Sequence, residues 1–263
     1  MFRMFRSTWI TLRRPGMLLG TYGAIAAITA IITGVIFLNA STVADDRGPD
    51  AGVTLQSLAS GSGFLQGLTS SVLFLGLISL CVAAAQVAVG YSSGTLRNLL
   101  IRQPKRLRLL AGQWAATISF TLGAVALAAV VAAAAGVSFA GVKGIDTSAW
   151  FTAGALGDSA RSLGEVLLAS AGFATLGAAL GSVLRSSVAA ISVGAAWVMA
   201  IENILAATIG GADRWLPGQL LSAVADGGTS TVTLTTAATT SIVYLLMAAV
   251  VTGALFRRRD VTA

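Results

Sequence analysis

The stretch MLLGTYGAIAAITAIITGVIFL, residues 17–38, runs for 22 residues without a charged side chain. A helix needs about 20 mostly apolar residues to cross the ~30 Å hydrocarbon core of a bilayer. Five further stretches meet that requirement: Leu68–Val89, Leu109–Val137, Leu163–Leu184, Val188–Ile209 and Ala237–Phe256. They are too long for strands and lack the alternation of a membrane barrel. The sequence therefore predicts an all-α integral membrane protein, a bundle of six spans forming a single domain over residues 1–263.

Composition agrees. Charged residues make up 10% of the chain and apolar residues 56%, with a mean hydropathy of +0.84; soluble domains carry about 25% charged residues. The chain has no histidine, which removes His-based general-base, nucleophile-activating and metal-ligating chemistry, including a Ser–His intramembrane hydrolase. Neither HExxH nor a Gly-x-x-x-x-Gly-Lys-Ser/Thr phosphate loop occurs, so that route to ATP hydrolysis is closed to the chain. The single Cys81 lies in the second stretch and reads as a small buried hydrophobe.

The net charge of +7 and the isoelectric point near 10.7 could indicate nucleic acid, but the distribution of the basic residues argues for lipid. Arg3, Arg6, Arg13, Arg14, Arg97, Arg102, Lys105, Arg106, Arg108, Arg185, Arg257, Arg258 and Arg259 all fall on one side of the six spans. Only Arg47, Lys143, Arg161 and Arg214 fall on the other, where most of the acidic residues gather. The positive-inside rule then puts both termini in the cytoplasm of a multi-pass protein in the cell membrane, with the basic side against lipid headgroups. A cleaved leader is the rival reading of the first stretch, with Thr42-Val43-Ala44 as a cleavage site. The apolar run, however, exceeds the 7–15 residues usual in a leader.

Before the first span, Phe2, Phe5, Trp9 and Leu12 share one helical face, with Arg3, Arg6 and Arg14 on the adjacent one and Ile10 interrupting the polar side. This predicts an elbow helix lying in the membrane interface, aromatic side toward lipid, and broken by Pro15-Gly16. Between spans two and three, a short helix is expected from Ser93, with Leu96, Leu99 and Leu100 as an apolar stripe edged by Arg97 and Arg102, ending at Pro104. Such a stripe exposed on a surface should dock on something.

Gly94-Thr95-Leu96-Arg97, then Leu99-Leu100, Pro104 and Arg106, resemble the cytoplasmic loop of ABC-2 type transporter permeases. The resemblance extends to the basic elbow, the six spans, Leu216-Pro217 before the last span, and the terminal Phe256-Arg257-Arg258-Arg259-Asp260. It implies that residues 94–102 form a coupling helix seated in a groove of a separate ABC ATPase subunit, with ATP and Mg2+ held there and no cofactor in this chain. It also implies a second permease chain, identical or paralogous, and movement of a substrate, most simply its export. Two positions depart from the family pattern: Gly90 stands where an acidic residue is frequent, and Gln113 where a lysine is common. An ATP-independent carrier and a non-transporting scaffold or sensor are the alternative readings.

Three further features stand out. Glu202 and Asn203 lie in the fifth stretch, about 10 Å from its nearer end at 1.5 Å per residue; an ionisable group there is costly and should face the bundle or a wet cavity. It is either a substrate, cation or proton contact, or a structural hydrogen bond to the segment around Trp215 to Gln219. Residues 210–236 mix polar residues with Trp215-Leu216-Pro217 and Leu220-Leu221, which suits a short re-entrant or interfacial helix pair, or a plain loop. Gly177 and Gly181 allow close helix packing, within the chain rather than as a dimer seam. Finally, the link at Arg185–Ser187 is short enough to force a tight hairpin between spans four and five.

Overall fold

The computed structural model describes residues 2–40, 53–92 and 106–258. Among these residues it is helical, with no strand beyond an isolated bridge between Gly228 and Thr233. Six helices are long and apolar enough to cross a membrane, the architecture of a multi-pass membrane protein. The residues predicted to form the coupling helix, Gly94, Thr95, Leu96, Arg97, Leu99, Leu100, Arg102 and Pro104, lie outside the described residues, as does the Arg106 side chain.

Helix α1 (Phe2–Leu12) is followed by α2 (Pro15–Asn39), the first span. Pro15 opens α2 at a position where its missing N–H costs nothing, and Arg14 before it has extended backbone, φ −58° and ψ 137°. The break expected at Pro15-Gly16 is therefore present. The orientation of α1 differs from the expectation. Leu12 is fully buried, Phe5 and Trp9 are half-buried, and the Trp9 ring meets Phe120 edge-on at 6.3 Å. The apolar side of α1 packs on the third span through Ala116 and Phe120 rather than facing lipid alone. Burial against protein yields dispersion contacts that fluid lipid chains match less closely.

Two short helices, α3 (Leu55–Ala59) and α4 (Gln66–Ser70), precede α5 (Val72–Ser92), the second span. The third and fourth spans lie in α6 (Arg106–Lys143) and α7 (Ala153–Leu184). At 38 and 32 residues, these helices are roughly 57 and 48 Å long at 1.5 Å per residue, well beyond the ~30 Å core. A second, aromatic core lies at one end of the bundle, where the end of α6 and the turn that follows it pack on Phe37 and Leu58. Trp150 is fully buried there, with its indole N–H donating to the Leu58 carbonyl at 2.8 Å. Phe37 and Phe64 pack on its ring at 6.1 and 5.9 Å.

At the opposite end, α7 closes on Arg185, whose left-handed φ of 55° turns the chain into the fifth span. The Arg185 guanidinium lies 5.4 Å over the Tyr91 ring, and Tyr91 meets Phe256 of the last helix at 6.2 Å. The hairpin expected at Arg185–Ser187 is thus seen, with Ser186 capping the next helix through its hydroxyl.

The centre of the bundle is the α5–α7 pair. A Cβ on Gly177 or Gly181 would run into the backbone of Leu80 or Ala84, so these glycines let two helix backbones touch inside the chain. The fifth span is composite: α8 (Ser187–Ala196), a π turn at Trp197–Ile201, and α9 (Glu202–Thr208). After it come α10 (Pro217–Ala225) and the last span, α11 (Leu234–Arg258). The 210–236 segment holds a single two-turn helix preceded by a short 3-10 turn at Ala212–Arg214, in place of a helix pair. Nor does α10 rest on the surface: Leu220, Leu221, Ala223 and Val224 are buried, most of them in the main core with Leu75, Val125 and Val166. The buried share of the most apolar window falls from 61% in span four to 22% and 17% in spans five and six, so the last two spans turn most of their surface outward.

Candidate functional site

The break in span five positions the site. In an α-helix, residues five apart sit about 140° apart around the axis. The π turn narrows that offset: the Glu202 N–H bonds to the Trp197 carbonyl, five residues back, and the two side chains meet. The Trp197 indole N–H donates to Glu202 Oε1 at 2.6 Å. Single π turns inside α-helices are frequent at functional sites. The Asn203 amide nitrogen donates to the carbonyls of Val198 and Met199 at 3.0 and 3.1 Å, both within the turn.

Glu202 is 1% exposed. Its carboxylate accepts the Gly218 N–H on Oε1 at 3.0 Å and the Gln219 N–H on Oε2 at 2.9 Å. Those amides belong to the first turn of α10, whose Leu216 N-cap supplies no side-chain bond. Glu202 therefore caps a helix 16 residues away in sequence, where the positive end of the helix dipole favours an anion. Three hydrogen bonds hold the carboxyl group, which has no cation partner among the described residues. The only ion pair among the described residues is Arg161 with Glu165, on the surface of α7 at 3.0 Å. Gln219 also donates its side-chain amide to Asn203 at 3.4 Å, which doubles the tie between span five and α10.

Glycine at 218 leaves room for the carboxyl group. A Cβ there would stand 2.5 Å from Glu202 Oε2, closer than atoms approach without a shift. Pro217, one residue earlier, fixes the start of the helix and lines a cleft of about 350 Å3 together with Trp197 and Glu202. The other walls come from α5, α7, α8 and α11, through Leu80, Leu176, Leu180, Val193 and Val251. The lining is aliphatic apart from Trp197, Glu202 and Thr252. No group of three or more metal-ligating side chains occurs among the described residues.

Of the residues singled out in the sequence, Glu202 and Asn203 are brought together, and Gln219 joins them. The α1 residues Phe5, Trp9 and Leu12 form a separate patch on α6, and the Phe2 side chain lies outside the described residues. Trp197 and the cleft were not foreseen. A five-residue spacing carries no helical signal, and the cleft is built from residues of six helices and the π turn. The Pro217-Gly218 pair was the available clue: a helix start with no side chain to obstruct an incoming anion.

A family model described as a protein of unknown function, DUF2705, matches residues 26–262. The match runs from within the first span to the end of the last helix, and so includes the Glu202 site. No curated protein matches the chain.

Proposed function

We propose, for a chain that belongs to the DUF2705 family, the role of membrane-spanning permease subunit of an ATP-driven transporter of the ABC-2 type, working as an exporter. The observation that carries this reading is the combination of six apolar helices with a basic loop, Gly94-Thr95-Leu96-Arg97 to Arg106, between the second and third. In this reading the loop is a coupling helix on an ABC ATPase, which holds ATP and Mg2+. A second permease chain, identical or paralogous, completes the pathway. The end of the bundle carrying Arg185 faces the cytoplasm of the cell membrane, together with both termini, and α1 braces the bundle as its elbow at the lipid interface. ATP must favour one access state over the other for its binding to move the bundle. Replacing Leu99 and Leu100 by Asp should abolish co-purification of an ABC ATPase with the chain while membrane insertion persists. Undiminished co-purification would overturn the coupling-helix assignment.

One observation favours a second reading, an ATP-independent carrier. Span five is interrupted at an intramembrane carboxylate, and interrupted helices near the midplane mark many secondary transporters. Substrate movement by the purified chain in vesicles without any ATPase would select it. A scaffold or sensor would move substrate in neither assay.

A further inference from the structure

The cleft beside Glu202 differs at its two ends. One end is closed by the Glu202 carboxylate and Pro217. The other is lined by Val183 and Thr252. Arg185 lies two residues beyond Val183, and Phe256 lies one helical turn beyond Thr252. Phe256 touches Tyr91, over which the Arg185 guanidinium is stacked. The Nε of Arg185 is buried and has no hydrogen-bond partner among the described residues, a costly state for a donor.

The side of the cleft is open as well. Val193, Trp197 and Val251 line it and are 49%, 41% and 55% exposed. All three belong to helices that cross the membrane, so the opening faces hydrocarbon and whatever enters sideways must be dissolved in the bilayer. From Val193 to Glu202 the cleft follows span five for roughly 14 Å at 1.5 Å per residue, close to half the ~30 Å core and so to one lipid chain. Its volume of about 350 Å3 lies within the ~300–1,000 Å3 of ligand pockets. The carboxylate at the Glu202 end already takes up the three nearby donors, so that end offers a phosphate no donor.

We propose that this cleft binds one acyl chain of an anionic phospholipid from the surrounding bilayer, with the chain end toward Glu202 and the phosphate headgroup at Arg185. The direction follows from the two ends: the Arg185 cation lies beyond the Val183 end, and the Glu202 carboxyl group lines the other. The inference rests on the six membrane-crossing helices and not on the ATP-driven reading.

The test is native mass spectrometry of the delipidated protein, with dioleoyl phosphatidylglycerol and dioleoyl phosphatidylcholine added at equal concentration. The wild type should retain one anionic lipid with at least a tenfold preference. Arg185→Asn, which tolerates the left-handed backbone, should lower the preference to about one without preventing chain binding. Ala248→Phe, which fills the cleft from α11, should remove the bound lipid of either kind. Circular dichroism and gel filtration of both variants establish that they fold. Should Ala248→Phe fail to fold, brominated acyl chains replace it: they should quench wild-type fluorescence, and the quenched fraction should fall in Trp197→Phe. Equal retention of the two lipids by the wild type overturns the proposal, as does an unchanged preference in Arg185→Asn. It is also overturned if Ala248→Phe disperses a dimer without altering lipid retention, because a second copy would then be the occupant.

Discussion

Substituting Gly218 by alanine turns the Glu202 clasp into a question of sign. Gly218 is the second residue of α10, where alanine would ordinarily stabilise a helix by up to about 1 kcal/mol relative to glycine. The added methyl, however, would stand 2.5 Å from Glu202 Oε2 and 3.1 Å from its carboxyl carbon. Atoms in contact prefer separations of about 3.5–4.0 Å, so the carboxylate must retreat by roughly 1 Å. The bonds to Gly218 and Gln219, now 3.0 and 2.9 Å, would then pass the ~3.5 Å beyond which they hardly count as hydrogen bonds. Each bond to a charged group contributes about 1.5–3 kcal/mol. Losing two, less the helix gain, leaves a net destabilisation of at least about 2 kcal/mol. For a chain of this size that is a fall in melting temperature of at least ~4 °C. Thermal melting of purified protein in detergent, followed by gel filtration, measures it. In a Glu202→Ala background the methyl has room, so the same substitution should be neutral or stabilising; the cycle isolates the pair. A rise in melting temperature for Gly218→Ala in the wild-type background would refute the clasp.

Trp150→Phe keeps the aromatic packing but leaves the buried Leu58 carbonyl without its donor at 2.8 Å; it should cost about 1–3 kcal/mol, read as a lower melting temperature in the same assay. Gly177→Ala and Gly181→Ala press a methyl onto the backbone of α5 and should each cost about 1–3 kcal/mol. Gly23→Ala, with nothing within 4 Å, should cost nothing, and equal effects at the three sites would refute the tight α5–α7 crossing. In a Cys81→Ala background, Asp46→Cys and Gln103→Cys should be labelled by an impermeant thiol reagent from opposite sides of the membrane. Labelling from the same side would sink the proposed orientation.

Much of the fold was legible because a span needs only length and apolarity. Span boundaries were less legible. Residues beyond the hydrocarbon on α6 and α7 obey the packing of the Trp150 core, which composition does not encode. The orientation of α1 was missed for a related reason. An apolar helix face suits lipid and protein equally well, and only the position of Phe120 decides between them. At the site, Glu202 and Asn203 could be found because a carboxylate in an apolar run is conspicuous. Trp197 could not, because its partnership depends on a π turn that no residue spacing announces.

The sequence by itself determined that six helices of sufficient length and apolarity form, where prolines and glycines interrupt them, and which polar side chains are placed among apolar ones. Each is a local property, fixed by hydropathy over about twenty residues or by the backbone limits of a single residue. Only the tertiary structure decided that Glu202 caps α10, that Gly177 and Gly181 meet α5, and that an open cleft separates Glu202 from Arg185. Those features join residues from different helices, and their geometry follows from how side chains of particular volume fill the space between them.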